Sequence, residues 1–179
     1  AQLRSSPVAI HPEKANEQHY ELPPDFFESV LGKHLKYSAC YWPEGAKSLD
    51  QAEEAALELT TQRAELEDGQ KILELGCGWG SLTLWMAQRF PSSRILAMSN
   101  STLQRDFILS RAAAKGVGNL EVITADINEF RLDQTFDRIV TVEMLEHVRN
   151  YQQLFARMNH WLTPRGKAFI HIFSHARFA

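Results

Sequence analysis

Three residues that can move protons, Glu143, Glu146 and His147, lie within five positions of one another, directly after a stretch, Asp137 to Val142, that reads as a strand. Imidazole side chains titrate at about 6.5, so one placed here suits a general base at neutral pH. Nearby carboxylates would attract a cation and steady the imidazolium once formed. An amine arrives largely as ammonium and must lose a proton before its lone pair can attack, which is work for such a cluster. The same residues also read as a solvated charged loop before a helix, and on spacing both readings stay open. A second stretch with chemistry in it is Glu74-Leu75-Gly76-Cys77-Gly78-Trp79-Gly80. Glycines there permit positive φ and close approach of backbone to a ligand. A helix that follows offers free amides to an anionic group. A glycine-rich turn by itself is equally a tight turn. The dinucleotide fingerprint needs Gly-x-Gly-x-x-Gly and an acid about 20 residues on. Here Ser81 takes the third glycine's place, and Ser99-Asn100-Ser101 ends the next strand without a carboxylate. Nicotinamide binding is therefore disfavoured.

The elements that must position these residues follow from hydrophobic spacing. Pro23 and Pro24 sit where a helix can start, and Phe26, Phe27, Val30 and Leu31 form a stripe at helical spacing. Tyr37 to Gly45 is an aromatic loop. Ser48 and Gln51 form a capping-box pair for a helix expected to run to about Leu66. Short strands are expected at Lys71–Leu75, Arg94–Met98, Glu121–Ala125, Asp137–Val142 and Lys167–Phe173. Helical stripes lie between most of them, from Leu82 to Phe90, Leu103 to Ala112 and Tyr151 to Leu162. Pro164-Arg165-Gly166 is expected to turn the chain into the last strand. Alternating strands and helices predict a doubly wound α/β domain with a mainly parallel sheet and helices on both faces. Three stretches are expected: a polar arm over 1–18, a helical cap segment over 19–68, and a core over 69–179.

At 179 residues, 44% hydrophobic and 23% charged, the composition is that of a globular domain. The formal net charge of −3 argues against a nucleic-acid partner held by a strong positive field. No apolar run approaches the roughly 20 residues needed to span a bilayer, and no signal-peptide pattern opens the sequence. Two cysteines, Cys40 and Cys77, make neither a disulfide framework nor a zinc cluster. The expectation is a cytoplasmic location and no metal. Tyr37, Tyr41, Trp42 and Trp79 could offer ring faces to a cation or could simply pack. His171, inside the last strand, is by type more often structural than catalytic.

The acid-x-Gly-x-Gly-x-Gly form resembles motif I of the S-adenosylmethionine-dependent methyltransferases with a Rossmann-like fold. The likeness extends to His19-Tyr20-Glu21-Leu22-Pro23, Leu35-Lys36-Tyr37-Ser38, Leu49-Asp50-Gln51-Ala52-Glu53, Asp137-Arg138-Ile139, Glu143-Met144-Leu145-Glu146-His147 and Asn150-Tyr151. Together, over roughly residues 19 to 175, these resemble the family of cyclopropane-fatty-acid synthases and plant coclaurine-type N-methyltransferases, and the N-methyltransferase branch more closely. The resemblance implies a class I methyltransferase core that binds S-adenosylmethionine and releases S-adenosylhomocysteine. It carries cofactor contacts onto Tyr37 and Ser38 at the methionine end and Gly76 and Gly78 in the glycine turn. Ser99, Asn100 and Gln104 would lie near the ribose, and Asp126 and Ile127 at the adenine. Asp126 also follows a strand at its carboxyl end, where open α/β sheets bind ligands, and a carboxylate there can accept from an adenine amine or cap a helix or turn; Glu74 reads as a brace for the glycine turn.

The N-methyltransferase branch places a Glu and a Glu-His pair at Glu143, Glu146 and His147, which implies N-methylation of a small amine. Cyclopropane synthases carry a histidine matching His171 that holds bicarbonate with a glutamate matching Glu146. They also use a cysteine, whose place is Ala39 here with Cys40 one position out of register, and a tyrosine that would fall past Ala179. Transfer to a lipid is therefore the alternative, and a SAM-binding form with little activity a third reading. The family adds a C-terminal hairpin beside the fifth strand. The expectation is that a further segment, or a partner chain in a dimer, covers that edge, and that this chain binds cofactor but turns over poorly.

Overall fold

The strands form where apolar runs can be buried on both faces, and the helices cover those faces. In the computed structural model, which describes residues 5–10 and 22–174, five strands make one sheet: β1 (Lys71–Leu75), β2 (Arg94–Ser99), β3 (Leu120–Thr124), β4 (Phe136–Val142) and β5 (Leu162–His171). Their order is β3-β2-β1-β4-β5, and every pair is parallel. The helices are α1 (Pro24–Val30), α2 (Leu49–Arg63), α3 (Ser81–Arg89), α4 (Thr102–Ala114) and α5 (Tyr151–Trp161), with a 3-10 turn at Leu145–His147. This is the doubly wound α/β architecture with a parallel sheet that the alternation of strands and helices predicts.

Alternate residues of the central strands face opposite cores, as the two-residue period of a strand requires. Leu73, Leu75, Leu96, Met98 and Ile139 pack with Leu154, Met158 and Trp161 of α5. Ile72, Ile95 and Val140 pack instead with Leu57 of α2 and with Leu82 and Met86 of α3. Each wholly buried aliphatic or aromatic side chain contributes about 1.5–3 kcal/mol of burial. Side-chain oxygens start three helices by accepting backbone protons: Ser48 from Gln51, Ser101 from Gln104 and Asn150 from Gln153.

The chain runs from β1 outward to β3, then crosses back to place β4 on the other side of β1. The carboxyl ends of β1 and β4 thus flank the point where strand order reverses, the place where open α/β sheets hold ligands. The glycine turn follows one of these ends and the Glu-Glu-His cluster the other.

Four expectations shift against the structure. β5 begins at Leu162 and ends at His171, so Pro164-Arg165-Gly166 is no turn ahead of the strand. Leu162 pairs with Phe136 and Lys167 with Arg138, so these residues form an irregularity inside the ladder. Ile172 and Phe173 lie past the strand. The α2 helix ends at Arg63 rather than Leu66. Only Phe27 of the α1 stripe is buried; Phe26 and Val30 are exposed. Within the stretch read as a polar arm, Val8 and Ala9 are buried in the core. Val8 O accepts from the amides of Arg149 and Asn150, and Asn128 clasps Ala9 N and Ala9 O at 3.0 and 2.9 Å. The expected boundary at residue 19 and the His19-Tyr20-Glu21 motif lie outside the described residues.

Candidate active site

At the end of β1 the amides of Gly76 and Cys77 both donate to Met98 O at 3.0 Å, folding the glycine turn against the end of β2. Gly78 and Gly80 have φ of +52° and +82°. A Cβ on Gly80 would sit 2.5 Å from Ile108 Cγ1, so this glycine lets α3 pack on α4. A Cβ on Gly78 would meet nothing within 4 Å; it would project into open space at a cavity wall. α3 begins with no side-chain cap, which leaves its first-turn amides for a ligand.

The cavity has a volume of about 670 Å³ and its wall brings together Tyr37, Ser38, Gly76, Gly78, Ser99, Asn100, Gln104, Ile127, Glu143, Glu146 and His147. Of the expected site residues, Asp126 is not part of that wall. Its Oδ1 accepts from Asn128 N at 2.8 Å, the geometry of a turn cap. Tyr37 and Trp79 line the cavity, whereas Tyr41 and Trp42 are about half exposed away from it. Ala39 lines the wall; Cys40 and His171 do not. Burial pushes both cysteine thiols up, which keeps them poor nucleophiles.

Three side-chain groups on the wall, Trp79 Nε1, Ser81 Oγ and Gln104 Nε2, are buried without a hydrogen-bond partner among the described residues. Gln104 Oε1 is already committed, accepting from Ser99 Oγ at 2.6 Å, so the amide is fixed with its NH2 spare. Leaving such groups unpaired costs about 1–3 kcal/mol each, and a polar ligand would remove that cost. Glu74, buried behind the turn, accepts from Thr83 Oγ1 at 2.6 Å. Burial pushes its carboxyl up to about 8, against the opposing effect of that hydrogen bond.

The two carboxylates beyond β4 each hold a flanking segment by a backbone proton. Glu143 Oε1 accepts from Ala39 N at 3.0 Å. Glu146 Oε1 accepts from Phe173 N at 2.6 Å, and Phe173 closes part of the wall. Glu143 itself has φ +53°, and its own amide donates to His171 O at 2.8 Å. His147 closes the 3-10 turn, its amide donating to Met144 O at 3.1 Å. Among the described residues no group of three or more His, Cys, Asp or Glu could hold a metal.

The sequence profile of the family described as Mycolic acid cyclopropane synthetase matches residues 9–177. The chain belongs to this family. This cyclopropane synthetase family member is 40% identical over 177 residues to the (S)-coclaurine N-methyltransferase of Thalictrum flavum subsp. glaucum, covering 99% of the chain and 49% of that relative. It is 33% identical over 157 residues to the cyclopropane-fatty-acyl-phospholipid synthase of Escherichia coli K12, covering 87% of the chain and 39% of the relative. A crystal structure of coclaurine N-methyltransferase bound to N-methylheliamine and SAH matches with a TM-score of 0.91 at 38% identity, over 95% of this chain and 49% of that one. The chain spans about half the length of the curated relatives it matches.

Several members of the wall went without a role in the sequence. Lys36, on the wall, and Glu53, buried behind it on α2, sit inside motifs that drew attention for other residues. Ala9 enters the wall from a stretch with no periodicity, and Phe173 from beyond the strand.

Proposed function

We propose that this chain is the S-adenosylmethionine-binding core of an N-methyltransferase that acts on a small amine. The observation that carries the reading is that one cavity at the strand reversal is shared by the glycine turn with its unpaired donors and by Glu143, Glu146 and His147. The fit to the cofactor rests on this chain's own groups. Gly78 leaves open space where a side chain would project. Gln104 Nε2 and Trp79 Nε1 are donors that a polar ligand would satisfy, and Ser99 and Asn100 would lie near the ribose. Ile127 would supply an apolar wall for the adenine. Tyr37 and Ser38 would cover the methionine end. Asp126 keeps Oδ1 on the Asn128 amide, and Oδ2 is the oxygen that would accept from the adenine amine.

When bound, S-adenosylmethionine supplies an electrophilic methyl on a sulfonium. The protein's part is to seat the amine in line with it, to remove a proton and to keep the approach fixed. Oε2 of Glu143 and of Glu146 carries no hydrogen bond among the described residues, so each carboxylate has an oxygen for an ammonium N–H. His147, exposed at the end of the 3-10 turn and on the cavity wall, is the group suited to take the amine proton. Ala39 in the cysteine's place and His171 off the wall weigh against a lipid cyclopropane step.

No helix among the described residues is long and apolar enough to cross a membrane. We read the location as cytoplasmic from the two unbridged cysteines, and the acceptor as a small molecule rather than a nucleic acid. A further segment or second copy over the β5 edge remains part of the proposal, on the exposure of Ile170, Ile172 and Phe173. The test is calorimetric titration with S-adenosylhomocysteine and NADH, followed by methyl transfer from labelled cofactor to a panel of amines. Binding of S-adenosylhomocysteine alone, with turnover lost in His147→Ala, is the expected result. Binding of NADH alone, or turnover indifferent to His147→Ala, would overturn the reading.

A further inference from the structure

The loop between α1 and α2 is held by side chains of α2. Glu53, wholly buried, accepts three backbone protons: from Gly32 N at 2.9 Å and Lys36 N at 3.1 Å on Oε1, and from His34 N at 2.8 Å on Oε2. Asp50, one turn earlier, accepts from Lys33 N at 2.8 Å. These bonds fix the backbone at Lys36, whose side chain is 5% exposed and part of the cavity wall. Lys36 Nζ donates to Ser38 Oγ at 2.6 Å and to Ala39 O at 2.7 Å. Ala39 N in turn donates to Glu143 Oε1 at 3.0 Å. The path from α2 to the acceptor side of the cavity is therefore continuous hydrogen bonding.

A buried ammonium is costly, and both oxygens that Lys36 donates to are neutral. Holding the loop in one shape is a use that matches this arrangement, because the ammonium grips two consecutive residues at once. We propose that Lys36, seated by Glu53, is a positioning residue: it fixes the Ser38–Ala39 peptide and, through Ala39 N, the carboxylate of Glu143. The proposal rests on the reading of Glu143 as part of the acceptor site. Lys36 touches none of the reacting atoms; it acts through the loop.

Amide hydrogen exchange in the ligand-free chain reads the link without requiring turnover. Lys36→Met is expected to speed exchange at Ala39 N at least tenfold while the amides of β1 and β2 stay protected. Glu143→Ala should do the same from the other end, and the double variant should add little further. In amine turnover, Lys36→Met should lower kcat/KM at least tenfold, again without adding to the loss in Glu143→Ala. Should Lys36→Met fail to fold, Ser38→Ala, which withdraws one of the two acceptors, must raise Ala39 exchange instead. Unchanged Ala39 exchange in a folded variant overturns the link, as do additive effects with Glu143→Ala. Faster exchange with unaltered turnover overturns the positioning role. Faster exchange in a chain whose parent shows no methyl transfer leaves the link standing and removes the proposed function.

Discussion

Glu74 gives the chain a pH dependence that can be worked out in advance. Its carboxyl is buried behind the glycine turn and is pushed up to about 8 from an ordinary value of 4.5. Between those two values the folded chain keeps a proton that the unfolded chain releases. The unfolded state then binds fewer protons, so stability falls as pH rises through this window. Each unit is worth about 1.4 kcal/mol, so moving from pH 5 to pH 8 removes about 4 kcal/mol. That is a large part of the roughly 5–15 kcal/mol that holds a domain folded. Glu74→Gln cannot ionise, yet its amide oxygen can still accept from Thr83 Oγ1. Urea unfolding, followed by the fluorescence of the buried Trp79 and Trp161, should be run at each unit from pH 4 to pH 9. Relative to the parent, Glu74→Gln should gain stability steadily from pH 5 to 8 and then level off. Parallel curves for parent and variant across that range would refute the argument, because the carboxyl would then ionise alike in both states.

Other perturbations separate binding from folding. Gly80→Ala should cost about 2–4 kcal/mol in urea unfolding, from the left-handed backbone and the clash with Ile108. Gly78→Ala carries only the backbone cost of about 1–2 kcal/mol; its main effect should be at least a tenfold loss of S-adenosylhomocysteine affinity by calorimetry. Equal affinity in the parent and Gly78→Ala would mean that the open space at this turn is not where the ligand lies. Gln104→Glu keeps an oxygen for Ser99 Oγ but replaces the spare NH2 with an acceptor, and a titration at least tenfold weaker is expected for the lost donor. Asn128→Ala frees both backbone groups of Ala9, at about 1–2 kcal/mol, and limited proteolysis should then cut within residues 5–10 sooner than in the parent.

What could be read in the sequence was what local spacing determines. The apolar runs at Lys71–Leu75 and Asp137–Val142 have no other stable fate than burial on both faces, so their strands were legible. Glu143, Glu146 and His147 stood out because they are neighbours in the chain as well as in the cavity. Pro164-Arg165-Gly166 looked like a turn because its local composition is that of one. Its place within β5 depends on pairing with Phe136 and Arg138 of β4, which no local pattern reports. Val8 and Ala9 are likewise buried through partners more than a hundred residues away, Asn128 and the Arg149–Asn150 amides. Lys36 and Glu53 escaped for a different reason: they work on backbone amides and carbonyls, and such partners leave no signature of residue type.

The conformation of Glu143 ties the architecture to the chemistry. A non-glycine residue at φ +53° costs about 1–2 kcal/mol, and the site gives up that stability at the first residue beyond β4. The backbone is held there from both ends, by its own amide on His171 O and by the carboxylate on Ala39 N. An extended residue here would prolong β4, as parallel pairing with β5 already runs to Val142 and His171. The left-handed turn ends the strand abruptly and swings the carboxylate back across the top of the sheet toward the loop after Lys36. The 3-10 turn that follows then sets Glu146 and His147 on the same cavity wall. Strain that over-determined contacts sustain at a ligand site is the usual sign of a geometry kept for function. Here those contacts come from β5 on one side and the α1–α2 loop on the other, so the proposed acceptor site is shaped by segments that flank the sheet rather than by the strands beneath it.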